Sequence, residues 1–363
     1  MHAQTKSEIE HFLKDLGVRW FGVAENRISE IPDGAEAMVW LNPSVDRLVW
    51  TQARAGSINE LPDDVREKIQ FHSSTRIQNL VSQSPGIAWM LMGEVNKRST
   101  LVEGEGIIGG DLFAAVCHYY YNQIKAADPT AIVLGPAVLN WDFTCLGCQG
   151  TGSIGGGYAR GVAWMTTFIN AYQAKYGTLP PVDVWPIQVY PLDWDNLPNG
   201  DTDPANYPND YTVGQLRPHW RLAAGQVEHF RTYLDANGYS DTPIWITETA
   251  IHSGFDGWSP IGGGLTAPTG AYHSEFIGDY LSNLIGWLEQ NHAALDIDRW
   301  FFFTSYWELG TPKVDGYQGI SFFNTPDSGT AQRTCMGDIY KAASLGEPAL
   351  TCNAAGQAVP FSP

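Results

Sequence analysis

From residue 87 to residue 344 the chain alternates short apolar runs with longer segments of helical period, and this rhythm restricts the fold more than any other feature. Residues 87–92, 131–139, 182–189, 243–249 and 300–307 have strand length and are rich in β-branched and aromatic side chains. They are apolar on both faces, as a sheet covered by helices requires. Between them, residues 111–127, 158–176, 216–237 and 271–290 place apolar side chains at helical spacing, for example Phe276, Tyr280, Leu284 and Leu288. A short helix is predicted over 336–344. Strands separated by helices form parallel βαβ units. No glycine fingerprint for a dinucleotide follows the first strand, so the predicted architecture is an α/β protein of the (β/α)8 TIM barrel type rather than a doubly wound sheet.

The first 86 residues fit this plan less fully. A helix is predicted over 7–16, ended by Gly17, followed by strands at 18–24, 37–41 and 48–52. A helix over 62–81 would carry Val65, Ile69, Ile77 and Leu80 on its apolar side. No strand precedes residue 7 and no helix is expected between 25 and 36, so the first βα unit is degenerate or incomplete. No linker or internal repeat divides the chain, and residues 1–363 read as one domain. The polar stretches 192–215 and 252–269 read as loops after strands.

Composition narrows the function. A net charge of −18 argues against nucleic acid and anionic membrane surfaces and favours a neutral substrate. No apolar run reaches membrane-spanning length, and residues 1–6 lack a signal-peptide core. Aromatics are abundant, with 14 Trp, 16 Tyr and 15 Phe; most must be core, but the Trp exceed what a core needs, and some are expected to line a groove and stack on sugar rings. Cys145 and Cys148 form a Cys-x-x-Cys pair in a Gly-rich loop, and Cys335 and Cys352 stand at loop-closing separation. Two loop disulfides in a secreted protein are preferred over a zinc or redox site, with Cys117 a buried free thiol in a helix. No metal or cofactor is expected. The acidic loop with Asp193, Asp195, Asp201, Asp203, Asn206 and Asp210 lacks the calcium-loop glycine and terminal Glu, and reads as a solvated loop. Residues 150–157 are Gly-rich without the Lys-Ser/Thr of a phosphate cradle.

Two strands end on an isolated carboxylate, Gly93-Glu94-Val95-Asn96 and Ile246-Thr247-Glu248-Thr249. Three units separate them, which in a closed barrel lets both acids reach over the axis. Paired carboxylates suit glycosidic cleavage, where one protonates the leaving oxygen and the other attacks or activates water. Proximity raises one pKa and leaves the other low. Glu25, at another strand exit, is a rival acid that otherwise reads as a polar loop residue.

These segments resemble clan A of the glycoside hydrolases, retaining (β/α)8 enzymes, over residues 87–310. Trp89 to Asn96 is similar to the family's fourth strand with its acid/base Glu, and Trp245-Ile246-Thr247-Glu248 to the seventh with its nucleophile. Gln188-Val189-Tyr190 stands where the family carries His-x-Tyr, and Thr304-Ser305-Tyr306-Trp307 where it delivers a Trp platform. The resemblance implies Glu248 as nucleophile, Glu94 as acid/base and Tyr190 as the residue that orients Glu248. Trp307 would stack on the sugar at the cleavage point. Gln188, Asn96, Asn140, Trp141 and Trp194 would contact it or neighbouring sugars. Gly93 and Gln188 depart from the family's Asn and His, and the family's Arg near the second strand has no clear counterpart, although Arg27 lies close. The expected activity is an endo-acting glycanase on β-glucan or xylan-type polysaccharide. The rival is a barrel that binds carbohydrate without cleaving it. The oligomeric state is not legible.

Overall fold

The computed structural model describes residues 5–41, 44–45, 69–70, 72–96, 109–142, 160–190, 220–250, 274–306, 321–325, 329–353 and 355–362. The chain opens with α1 (Lys6–Leu16). The Thr5 side chain accepts from the Glu8 N–H while the Glu8 carboxylate accepts from the Thr5 N–H, a capping box that satisfies two orphan donors. Gly17, at φ +71°, ends the helix. Then come β1 (Trp20–Ala24), a 3-10 segment (Glu25–Glu30) and β2 (Glu36–Leu41). A small antiparallel pair, β3 (Ser44–Val45) and β4 (Ile69–Gln70), precedes α2 (Ser74–Ser82). The regular part runs β5 (Ala88–Leu91), α3 (Gly110–Ala127), β6 (Ile132–Leu134), β7 (Val138–Leu139), α4 (Gly161–Tyr176), β8 (Trp185–Val189) and α5 (Trp220–Ala236). It continues with β9 (Ile244–Thr249), α6 (Ser274–Asn291), β10 (Ile297–Phe302) and α7 (Cys335–Ser344), and ends in the hairpin β11 (Leu350–Cys352) and β12 (Ala358–Pro360).

All ladders between barrel strands are parallel, in the orders β1-β2-β5-β6 and β10-β9-β8-β7. β6 and β7 are one stave broken at Gly135-Pro136, where Pro lacks a ladder donor. The Gly135 N–H bonds the Val184 carbonyl and the Asp183 N–H bonds Val133, so the two halves join into one wall. Alternation sorts the strand side chains. Met38, Ala88, Met90, Leu134, Ala137, Val184 and Trp245 form one cluster, inside the barrel. Their neighbours Val39, Trp89, Leu91, Val133, Trp185, Ile244 and Ile246 join the larger cluster under the helices. That layer contains aromatic contacts such as Phe113–Phe168 and Trp185–Tyr239.

Among the described residues no backbone ladder joins β10 to β1, so the barrel is not closed there. Side chains cross the seam instead. The Arg299 guanidinium pairs with Glu36 at 2.6 Å and lies over the Trp20 and Trp245 rings at 5.4 and 4.6 Å. Ile9, Phe12 and Leu16 of α1 pack on the same side, and α1 is held to α7 by Asp15, which takes Arg333 at 2.5 Å and Lys341 at 3.3 Å. Burial pushes the Asp15 carboxyl up, but its hydrogen bonds to Arg333 and Lys341 outweigh that and hold it below its ordinary range.

Several expectations need correction. The helix expected over 62–81 starts only at Ser74, since 69–70 are in β4 and the Ser73 side chain caps the Arg76 N–H. The segment after β1, expected to hold no helix, forms the 3-10 turn. The last barrel strand begins at Ile297, where the Ile297 N–H bonds the His292 carbonyl. The expected strand at 48–52 and the loops 192–215 and 252–269 lie outside the described residues. Cys117 is buried in α3, and burial pushes its thiol up to about 12. Among the described residues no helix is long and apolar enough to cross a membrane.

The expected Cys335–Cys352 disulfide is present and closes 17 residues from α7 to β11. Its neighbour Gly278 on α6 has no room for a side chain, because a Cβ there would lie 2.6 Å from the Cys352 nitrogen. Cys145 and Cys148 lie outside the described residues. Loop-closure entropy for this span is worth about 3 kcal/mol. Reduction, or Cys335→Ser with Cys352→Ser, should lower unfolding free energy by that order in denaturant titrations.

Candidate active site

Glu248 is positioned by an irregularity in β9. Along β8 the pairing runs Ile187 with Ile246, then Gln188 with Glu248; along β10 it runs Trp300 with Ile246, then Phe302 with Thr249. Both ladders therefore skip one residue at Thr247–Glu248. Strict alternation from the inward Trp245 would turn Thr247 in and Glu248 out. The extra residue turns Glu248 back to the side of Gln188, as a β-bulge does.

Donors from β8 and its exit meet this half-buried carboxylate. The Tyr190 hydroxyl donates to Glu248 Oε1, and Gln188 Nε2 donates to Oε2 at 3.4 Å. Tyr190 and Gln188 are both buried. A carboxylate out of bulk water needs such donors, and they favour its ionised form.

Glu94 follows β5 in a strained turn. Met92 and Glu94 have φ of 67° and 50°, in the left-handed region that non-glycine residues rarely occupy. Between them, Gly93 faces Gln188: a Cβ on Gly93 would lie 3.3 Å from Gln188 Nε2. Glu94, half-buried, thus stands one residue from the amide that contacts Glu248. The turn is fastened to the next stave, with the Ala137 N–H on the Met92 carbonyl and the Val95 N–H on the Ala137 carbonyl.

Burial corrects three of the expected sugar contacts. Asn96 is fully buried, and its amide forms paired bonds with Leu139, donating to the carbonyl at 2.8 Å and accepting from the N–H at 2.7 Å. Trp141 packs its ring on Phe230 and Tyr233 of α5, with centroids 4.7 and 4.9 Å apart. Asn140, also buried and at φ 53°, accepts the Tyr190 N–H on Oδ1 at 2.8 Å. These residues sit at strand ends as expected, but their polar groups serve the scaffold. Trp194 and Trp307 lie outside the described residues.

The rival acid Glu25 leaves β1 toward α2. Its Oε1 accepts from Arg76 at 2.5 Å and faces His72 Nε2 at 3.2 Å, while His72 Nδ1 meets the buried Tyr120 hydroxyl at 2.6 Å. This chain ties the β1 exit to α2 and α3. Among the described residues, no group of acidic, His or Cys side chains could hold a metal ion. A cavity of about 100 Å³ lies in the β10–β1 seam, lined by Phe12, Trp20, Trp40, Phe301 and Glu248 among others.

Sequence reasoning missed Gln226 and the pair His229–Asp142, all at this end of the barrel. Gln226, buried on α5, bonds Trp141 and Tyr190. Its only sequence signal is an amide on the apolar side of an amphipathic helix. His229 Nδ1 donates to Asp142 Oδ2 at 2.8 Å. That hydrogen bond holds the imidazolium above the ordinary histidine range, against burial.

Two outcomes are expected here. Gly93→Asn should push Gln188 off Glu248 and lower any turnover roughly tenfold with little change in thermal stability, since one weak contact is lost. His229 has a folded pKa above its unfolded value, so its stabilisation is full below about pH 6.5 and lost as pH rises through the folded pKa. Wild type should therefore lose stability on raising the pH from about 6 to 8, relative to His229→Gln, in denaturant titrations at each pH.

No family model matches the chain, and no curated protein is similar to it in sequence. Solved structures are similar in shape. A glucosidase from Croceicoccus marinus aligns with a TM-score of 0.52 and 10% identity, over 96% of this chain and 66% of that one. A GH128 endo-β-1,3-glucanase from Amycolatopsis mediterranei gives 0.43 and 19%, over 94% and 96%. An endo-β-1,4-mannanase from Thermotoga petrophila gives 0.45 and 12%, over 94% and 74%. At these identities the likeness is one of architecture alone, and the chain shares the (β/α)8-barrel type of fold with these structures.

Proposed function

We propose that this protein is a retaining β-glycoside hydrolase that uses Glu248 as nucleophile and Glu94 as acid/base. The carrying observation is the hydrogen bond from the Tyr190 hydroxyl to Glu248 Oε1, with the Gln188 amide on the other oxygen. Two donors hold and aim the Glu248 carboxyl, as an attacking carboxylate requires. It attacks the anomeric carbon, and the bond to the leaving oxygen breaks as Glu94 delivers a proton to that oxygen. Glu94 then removes a proton from water, which cleaves the glycosyl-enzyme ester and regenerates both acids. The left-handed backbone at Glu94 supports this role, because strain of that kind collects at working residues.

The glucosidase likeness supports a sugar substrate at the level of fold. Among substrates, we favour β-glucan or xylan-type polysaccharide cut internally, by the aromatic richness of the chain. Secretion fits the Cys335–Cys352 disulfide.

Assays on aryl β-glycosides and on soluble β-glucan and xylan test this reading. Glu248→Gln and Glu94→Gln should each lower kcat by roughly 10³-fold or more. Glu94→Gln should lose less on substrates whose leaving group needs no proton. Glycan binding without turnover across the panel would instead identify a carbohydrate-binding barrel.

A further inference from the structure

We infer that Gln226 is a positioning residue for the Tyr190–Glu248 pair, an inference that rests on the reading of Glu248 as nucleophile. Tyr190 lies one residue beyond the β8 ladder, so the ladder does not fix its main chain. Two buried side-chain amides do. The Tyr190 N–H donates to Asn140 Oδ1 at 2.8 Å, and the Tyr190 carbonyl accepts from Gln226 Nε2 at 3.0 Å. Gln226 is 1% exposed and Asn140 1% exposed.

The orientation of the Gln226 amide is set by chemistry. The Trp141 N–H donates to Gln226 Oε1 at 2.7 Å, so the oxygen must face Trp141 and the nitrogen is left to face the Tyr190 carbonyl. Asn140 is oriented likewise, since the Tyr190 N–H needs an acceptor and so faces Oδ1, and the Asn140 main chain is tied to β8 by its own N–H on the Gln188 carbonyl at 2.9 Å. One side chain from α5 thus clasps the exits of β7 and β8 at the height where the Tyr190 phenol reaches Glu248. The same helix leads toward β9, which carries Glu248. A buried amide with both ends engaged is costly to disturb, because truncation removes one hydrogen bond from the Tyr190 carbonyl and one from the Trp141 N–H.

The consequence is electrostatic. A hydrogen bond to the ionised carboxylate holds its pKa down. If Gln226 sets the phenol in place, then removing Gln226 must act on Glu248 as removing the phenol does. The experiment compares Gln226→Leu, Gln226→Met, Tyr190→Phe and Gln226→Leu/Tyr190→Phe in the full chain. Two quantities are read: the acidic limb of kcat/KM, and the Glu248 carboxyl titration by ¹³C NMR, its resonance assigned by its loss in Glu248→Gln. Gln226→Met guards against failure of Gln226→Leu to fold.

The expected result is an upward move of the Glu248 titration by about one pH unit in Tyr190→Phe and in the same direction in either Gln226 variant. The double variant should move no further than Tyr190→Phe alone. Residues with a purely structural role would lose thermal stability and leave the titration in place. An unmoved titration in the Gln226 variants, beside a moved one in Tyr190→Phe, overturns the inference. So does an unmoved titration in Tyr190→Phe, since Gln226 acts only through that phenol. Absence of turnover in the wild type would sink the glycosidase reading alone, and the NMR titration would still decide the role of Gln226.

Discussion

The extra residue in β9 is the constraint on which the site depends. A regular strand would alternate Trp245, Thr247 and Thr249 inward and leave Glu248 among the helices, where an unpaired carboxylate would be expensive. The skipped residue places Glu248 opposite Gln188 and within reach of Tyr190. A local fault in the ladder thus brings the Glu248 carboxyl to two side-chain donors. The ladders on both sides accommodate it at the same residue, so the bulge is built into the barrel wall.

Around that carboxyl, buried amides join the ends of the barrel strands. Asn96, Asn140 and Gln226 are almost wholly buried, and each joins two neighbouring strand ends or a strand end and a helix. Strand ends have no ladder beyond them, and their N–H and C=O groups must be satisfied by side chains or water. Amides provide a donor and an acceptor together and carry no charge, which suits strand ends that present both an N–H and a carbonyl. Gly93 belongs to the same arrangement, since the space that a side chain would fill there is taken by the Gln188 amide. Gly93 and Gln188, the two places where the sequence departs from the motifs it resembles, are therefore neighbours in space.

Much of the barrel was legible in the sequence. The strands at 87–92, 182–189 and 243–249 and their helices appear within a few residues of their expected places, because apolar period and glycine stops act locally. The pairing of Cys335 with Cys352 was legible from their separation. Errors arose where a distant partner decided the outcome. Val65 and Ile69 continue the helical pattern of α2, yet Ile69 pairs with Val45 as a strand. Trp141 reads as a contact for a neighbouring sugar, but its ring packs on Phe230 and Tyr233 of α5. The side chain of Asn96 gave no hint that Leu139 would occupy both its donor and its acceptor.

The amino-acid order by itself determined the parallel βαβ plan, the carboxylates at the ends of two strands and the tyrosine two residues after Gln188. These follow from local period and composition, which do not depend on what packs where. Only the tertiary structure decided that Glu248 turns inward, that Tyr190 and Gln188 share it, and that a glutamine from α5 holds Tyr190. It also left β10 and β1 joined through Arg299 and α1 rather than by a ladder among the described residues. Register and long-range hydrogen bonds are properties of pairs of segments far apart in the chain. A one-residue slip changes every partner while the sequence of either strand stays the same.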